Sequence, residues 1–321
     1  MRGWDRVRSE RFEAQKRLGL IAAETVLPPR WPGVPAWDSL SASERLRQAR
    51  IMATYAAMID RLDSSVGRLL AELEDSGVLE NTIVIFLSDN GAAAEDFLNL
   101  PAGNDIHDFI DHTYPAKGTD EIGGPDAWAA LGRPWAQVAS VERRLHKATS
   151  YEGGVRSPLI IWDPTSDKHS GTTVDVPWQV TGIAISILDW AGVDLSSPAS
   201  VVPPTGVKYA DVVEGQTTSP VIFTSLNSGF VVEGDWKLVR QMRPLGDGKW
   251  RLFNLSDDVS ESNDLSGKYP EHALRLRSAY ADYMRDNDLI ELPSCWNATA
   301  QMLGGGNNAD CLESESSIGS R

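Results

Sequence analysis

The residues in this chain best placed to do chemistry form one short run, Ser88, Asp89, Asn90 and Gly91, directly after the apolar stretch Thr82-Ile-Val-Ile-Phe-Leu87. One carboxylate and one amide oxygen side by side suit a hard cation, which takes oxygen ligands and accepts charged and neutral donors together. Asp-Asn-Gly is equally the composition of an Asx turn, in which short side chains bond their own backbone. The local pattern leaves both readings open. His107, His112 and Lys117 lie in a stretch from 92 to 145 rich in Gly, Pro, Asp and His. Histidine in such a stretch is more often a solvated surface group than a ligand. A third run, Lys147-Ala-Thr-Ser-Tyr-Glu-Gly-Gly-Val-Arg-Ser-Pro158, carries a Gly-Gly pair that allows close backbone approach or a left-handed turn. Cys295 and Cys311 stand in no metal-ligand spacing and are read either as one disulfide or as two free thiols.

The elements that would position these groups follow from capping and periodicity. Ser41-Ala-Ser-Glu44 is a capping box, so a long helix is expected from there to Gly77. Met52, Ala56, Ile59, Leu62, Val66, Leu69, Leu70 and Leu73 recur at steps of three and four, which predicts one stripe facing a core. The β-branched and aromatic run ending at Leu87 has the composition of a strand buried on both faces of a parallel sheet. Asp89 and Asn90 then stand at its carboxyl end, where ligands bind in open α/β sheets. Leu159 to Trp162 reads as a second strand, and Val176 to Val193 as a core-facing helix ended by Gly192. Residues 196–206 read as a linker. Beyond them, runs at Val221–Ser225, Phe230–Glu233, Trp236–Gln241 and Trp250–Leu255, divided by Gly and Asp turns, predict an antiparallel sheet. A helix over Glu271–Asp286 follows, and the tail from Pro293 reads as poorly ordered.

With 30 Lys and Arg against 45 Asp and Glu, the net charge is -15. That balance argues against a nucleic-acid partner, which needs a basic face. No apolar run approaches the length of a membrane span, and the first residues lack the apolar core of a secretory signal. The chain is therefore expected to be soluble, without a membrane partner, and cytoplasmic by default. Its oligomeric state is left open.

Taken in order, several segments resemble the sulfatase family, in its arylsulfatase branch, within the alkaline phosphatase-like superfamily. They are Gly3-Trp-Asp5, Trp37-Asp-Ser-Leu-Ser41, Tyr55-Ala-Ala-Met-Ile-Asp-Arg-Leu-Asp63, Val66-Gly-Arg68 and Asn81-Thr-Ile-Val-Ile-Phe-Leu-Ser-Asp-Asn-Gly91. Lys147 with Tyr151-Glu-Gly-Gly154, Trp236-Lys-Leu238 and Leu252-Phe-Asn-Leu255 continue the likeness. The resemblance implies an α/β fold, a partial alkaline phosphatase-like three-layer sandwich followed by a small C-terminal antiparallel sheet with a packed helix. It implies that residues 1–195 are the C-terminal part of a catalytic domain, 205–290 a small subdomain and 291–321 a disordered tail. It further implies that Asp89 and Asn90 are two ligands of a divalent cation, usually Ca2+, and that Lys147 contacts the sulfate of a small-molecule sulfate ester. Glu152 is read as structural, since a second anion beside a sulfate would be repelled.

The chain also departs from the family pattern. The Cys-x-Pro-x-Arg context whose Cys or Ser becomes formylglycine is absent, as are the N-terminal Asp-Asp cation ligands and the upstream lysine and histidine. Glu142, Arg143 and Arg144 stand where a Pro-Phe-Arg-like segment is usual, and Gly182, Ile185 and Ser186 replace Asp-x-x-Pro-Thr. Asp89 and Asn90 alone cannot fill a shell of six to eight oxygens. The expectation is a sulfuric ester hydrolase by family, with an incomplete site in this chain and no turnover from it alone. The alternatives are a non-catalytic sulfatase-like binding protein and a phosphate or phosphonate ester hydrolase.

Overall fold

Arg8 and Phe12, one helical turn apart, and Trp4 below them turn one face of helix α1 (Trp4–Arg17) inward. The computed structural model describes residues 2–94, 104–166, 171–193, 206–216, 220–243 and 245–292, with backbone only over 104–106. Helix α2 (Ala42–Asp75) starts at the expected capping box: Ser41 Oγ accepts from the Glu44 amide at 3.3 Å and Glu44 Oε2 accepts from the Ser41 amide at 2.8 Å. Gly77, at φ +70°, reverses the chain after it. Strand β1 (Val84–Leu87) follows, then α3 (Asn104–Thr113), α4 (Gly132–Ser140) and the single turn α5 (Glu152–Val155). After strand β2 (Leu159–Trp162) come α6 (Thr181–Trp190) and α7 (Tyr209–Val213). The chain then enters β3 (Val221–Ser225), β4 (Ser228–Glu233), β5 (Trp236–Arg240) and β6 (Trp250–Asn254), and finishes with α8 (Pro270–Asp286).

The four C-terminal strands form the expected antiparallel meander, in the order β3-β4-β5-β6. Leu226 and Asn227 at the β3–β4 corner both have positive φ, 51° and 64°, the two-residue geometry that matches strand twist. Helix α8 lies on this sheet, with Leu276 and Tyr280 buried against Ile222, Val231, Leu238 and Leu252. On the other face Phe230, Val232, Val239 and Phe253 meet Trp31, Val34, Ala136, Leu145 and Tyr151 in one apolar cluster. The C-terminal sheet is therefore packed into the same core as the segment that carries Lys147. A third cluster holds Trp4, Trp37 and Trp135, edge to face with centroids 4.8 to 6.0 Å apart. The indole N–H groups of Trp4 and Trp135 donate to the carbonyls of Pro35 and Gln48.

Three expectations are corrected here. Strand β1 pairs with β2 in an antiparallel two-stranded ribbon, Val84 opposite Trp162 and Leu87 opposite Leu159, and Phe86 and Leu87 are exposed. A strand buried on both faces needs neighbours and covering helices, and among the described residues β1 has one strand neighbour. The apolar stripe of α2 is likewise open: Ile51 is its one buried residue, while Met58, Ile59, Leu62 and Leu69 are 46 to 64% exposed. Periodicity reports which face is apolar and not whether something lies on it. The helix expected over 176–193 is shorter, and of its residues only Gly182 and Ser186 are buried. The tail from residue 293 and most of the 196–206 linker lie outside the described residues.

An open stripe of this size promotes self-association. The chain is expected to scatter light increasingly with concentration, and Ile59→Lys with Leu62→Lys should suppress that without lowering the melting temperature. Unchanged association in the double variant would mean that another surface drives it.

Candidate functional site

The Asp89-Asn90 turn and the Lys147 segment, 58 residues apart in sequence, face each other through main-chain hydrogen bonds. The Lys147 amide donates to the Ala92 carbonyl at 3.1 Å, and the Gly91 amide to the Gly154 carbonyl at 3.0 Å. Asp89 and Lys147 are exposed, and Asn90 Nδ2 donates to Asp89 Oδ1 at 2.9 Å, which sets the carboxylate and amide side by side. The turn is braced from behind: Ser88 Oγ donates to the Asn90 carbonyl and Ser157 Oγ to the Ser88 carbonyl. The segments that carry the three residues singled out in the sequence are thus hydrogen-bonded to each other. His107 and His112 are on α3, and Lys117 pairs with Asp111 at 2.7 Å on the surface. No observation joins these three to the site.

Close approach is what glycine supplies here. A Cβ on Gly91 would lie 1.8 Å from the Gly153 carbonyl oxygen, and one on Gly153 would lie 2.0 Å from that of Leu145. One on Gly154 would lie 2.3 Å from the Thr149 carbonyl oxygen. The segment carrying Lys147 is also bent sharply, with Val141, Leu145 and Ala148 at φ 53°, 57° and 67°. Such conformations cost energy for non-glycine residues and persist where the surroundings over-determine them. The surroundings do so: Arg8 of α1 donates twice to the Val141 carbonyl, at 2.9 and 2.7 Å, and Ser140 Oγ donates to that of Leu145.

Behind the glycines lies a buried charge cluster. Lys237 of β5, fully buried, reaches Glu152 Oε1 at 2.7 Å and Glu261 Oε1 at 3.0 Å. Glu261 Oε2 in turn accepts from the Glu152 amide at 2.7 Å. Glu152 is therefore a buried residue held in an ion pair, in keeping with a structural reading. Burial raises the Glu261 carboxyl to about 7 despite the Lys237 charge, with the Glu152 carboxylate adding to the rise. Burial also opposes ionisation of Glu152, but Lys237, Arg156 and Arg143 outweigh it and hold that carboxyl below its usual value. Sequence reasoning missed Lys237 and Glu261. The available signal was a lysine inside the apolar strand run Trp236 to Val239, a position that demands a buried partner.

The sequence singled out Asp89 and Asn90 as candidate oxygen donors for a divalent cation. Asp89 and Asn90 fit as two neighbouring oxygen donors on one turn, but among the described residues no three acidic, histidine or cysteine side chains converge to hold a metal ion. No described helix is long and apolar enough to cross a membrane.

The family model Sulfatase matches residues 10–193. Among curated proteins, an uncharacterised sulfatase of Schizosaccharomyces pombe is 30% identical over 304 residues, covering 91% of this chain and 54% of its own length. An arylsulfatase of Klebsiella aerogenes is 27% identical over 214 residues, covering 65% of this chain and 45% of its own. The chain thus spans about half the length of the curated relatives it matches. The solved structure of Ps i-CgsB in complex with k-i-k-neocarrahexaose superposes with a TM-score of 0.51 at 16% identity, over 94% of this chain and 58% of that one. At that identity the likeness concerns the fold alone.

Two outcomes follow from the geometry. Gly91→Ala or Gly153→Ala must push two backbones apart, and each is expected to cost about 1–3 kcal/mol or more in denaturant melts. Ala at Gly67, whose surroundings are open, is the control and should cost nothing. The second outcome concerns pH. Glu261 binds a proton in the folded chain at pH values where the unfolded chain has lost it, so its contribution is full below about 4.5 and lost as pH rises through about 7. Between those values stability should fall by up to about 1.4 kcal/mol per pH unit. Glu152 stays ionised throughout that window and does not mask the effect. Glu261→Gln should flatten the slope between pH 5 and 8, and an unchanged slope would assign the titration elsewhere.

Proposed function

The chain belongs to the sulfatase family, and from that premise we propose that it supplies the Asp89, Asn90 and Lys147 side of an arylsulfatase-type sulfuric ester hydrolase. The reaction class is conversion of a small-molecule sulfate ester and water to an alcohol or phenol and sulfate. The observation that carries this reading is the convergence of the Asp89-Asn90 turn on the Lys147 segment through the Lys147–Ala92 and Gly91–Gly154 hydrogen bonds. Lys147 is an exposed point charge on a rigidly held segment, suited to the anionic oxygens of a sulfate ester. Asp89 and Asn90 would hold a divalent cation, Ca2+ or another, in company with ligands from outside this chain's described residues. When bound, such a cation supplies positive charge against the oxygens that become more negative as the S–O bond breaks. The chain's own residues bind and orient: Lys147 and the cation ligands fix the sulfate, and the Gly91–Gly153 contact fixes their separation.

The missing Cys-x-Pro-x-Arg context carries the second half of the proposal. Residues 1–195 correspond to the C-terminal part of a catalytic domain, 205–290 to its small C-terminal subdomain and 291–321 to a tail. Without the nucleophile this part alone does not turn over ester. The same absence favours, as the second reading, a sulfatase-like protein that binds an anion or cation without hydrolysis.

With p-nitrophenyl sulfate and calcium chloride, the 321-residue chain is expected to release no more p-nitrophenol than its Asp89→Ala, Lys147→Ala double variant. Turnover well above that control would overturn the inert-part reading. Calcium should shift the Asn90 side-chain amide resonance in the wild-type chain, and Asp89→Ala should abolish the shift. No shift at millimolar calcium would remove Asp89 and Asn90 from the cation site.

A further inference from the structure

We propose that Lys237 and Glu152 are positioning residues for the Asp89, Asn90 and Lys147 site, so that the C-terminal sheet sets the site's geometry through one buried ion pair. The inference rests on the functional reading above for what the site does, but not for how it is held.

The connection runs from β5 to both segments through hydrogen bonds and covalent neighbours. Lys237 Nζ, presented by β5 beneath the ring of Phe230 at 5.0 Å, holds Glu152 Oε1 at 2.7 Å. Glu261 Oε2 takes the amide of Glu152, so both the side chain and the main chain of that residue are fixed from the C-terminal side. The next residue, Gly153, donates to the Arg144 carbonyl at 2.9 Å, three residues before Lys147. Its own carbonyl oxygen sits where a Gly91 side chain would be, and Gly154 accepts from the Gly91 amide. A shift of Glu152 therefore moves both walls of the site. Gln241, just past β5, adds a parallel tie by accepting from the Ser150 amide at 2.7 Å, and Arg144 donates to the Glu261 carbonyl at 2.5 Å.

The chemistry of the tie distinguishes it from ordinary packing. A buried ion pair contributes little net stability compared with apolar residues of the same volume, because desolvation offsets the attraction. What it does specify is direction: a carboxylate oxygen must sit on the ammonium, which fixes the turn after Glu152 in one place where an apolar contact would let it slide. Losing one partner leaves the other charge buried and unpaired, so it breaks the joint locally before it unfolds the sheet.

The test is amide hydrogen exchange on the whole chain, comparing peptides that cover 88–92 and 144–156 with peptides from β4 and β5. In Glu152→Gln, which keeps the size and one acceptor, and in the triple Lys237→Met, Glu152→Gln, Glu261→Gln, which leaves no unpaired charge, the site peptides should exchange at least about tenfold faster. The strand peptides should keep their wild-type rates. Equal acceleration everywhere, or none, overturns the proposal. Calcium chloride is the second arm. If calcium slows exchange of 88–92 in the wild-type chain and no longer does so in either variant, Lys237 and Glu152 position the site's ligands. If calcium protects the variants as well as the wild type, they do not. Absence of any calcium effect in the wild type would count against the cation reading, while the calcium-free exchange pattern would still decide the positioning claim.

Discussion

Lys237 is a full charge with no access to water, and the structure around it is arranged to make that tolerable. An ammonium group taken out of solvent loses several kcal/mol of hydration unless carboxylates replace the water. Glu152 and Glu261 replace it from two separate segments, one preceding β2 and one following β6. Satisfying the lysine therefore obliges both segments to meet on β5. The apolar cluster that joins Phe230, Val232, Val239 and Phe253 to Leu145 and Tyr151 closes over the same place and keeps the charges dry.

The Asp89-Asn90 turn and the Lys147 segment are tied to that joint at one remove. Their turns hold glycines at 91, 153 and 154 where a Cβ would meet a neighbouring carbonyl, together with left-handed Val141, Leu145 and Ala148. Backbone so placed has no preference for its own conformation and stays where neighbours hold it. Arg8 holds Val141 from the N-terminal helix, and the Lys237 cluster holds Glu152 from the C-terminal sheet. Asp89, Asn90 and Lys147 are thus carried on loops that are held by elements far away in sequence.

The open surfaces carry a related lesson. Helix α2, 34 residues long, and the β1–β2 ribbon present apolar side chains that the described residues leave uncovered. The chain spans about half the length of the relatives it matches. The uncovered face of α2 and the strand that leads to Asp89 and Asn90 belong to one helix-to-strand unit.

By itself the sequence determined the local elements. The Ser41–Glu44 capping box, Gly77, the four C-terminal strand runs and α8 each rest on contacts within a few residues, which sequence spacing records directly. The resemblance singles out Asp89, Asn90 and Lys147, and the structure sets the segments that carry them side by side. Tertiary structure alone decided the antiparallel pairing of β1 with β2 and the exposure of the α2 stripe, because periodicity encodes which face is apolar and carries no term for neighbour or direction. It alone decided the partners of Lys237, since Glu152 lies 85 residues away and the bond that fixes Glu152 to Glu261 spans 109. A buried charge announces that it needs a partner, and only the folded chain can say which one reaches it.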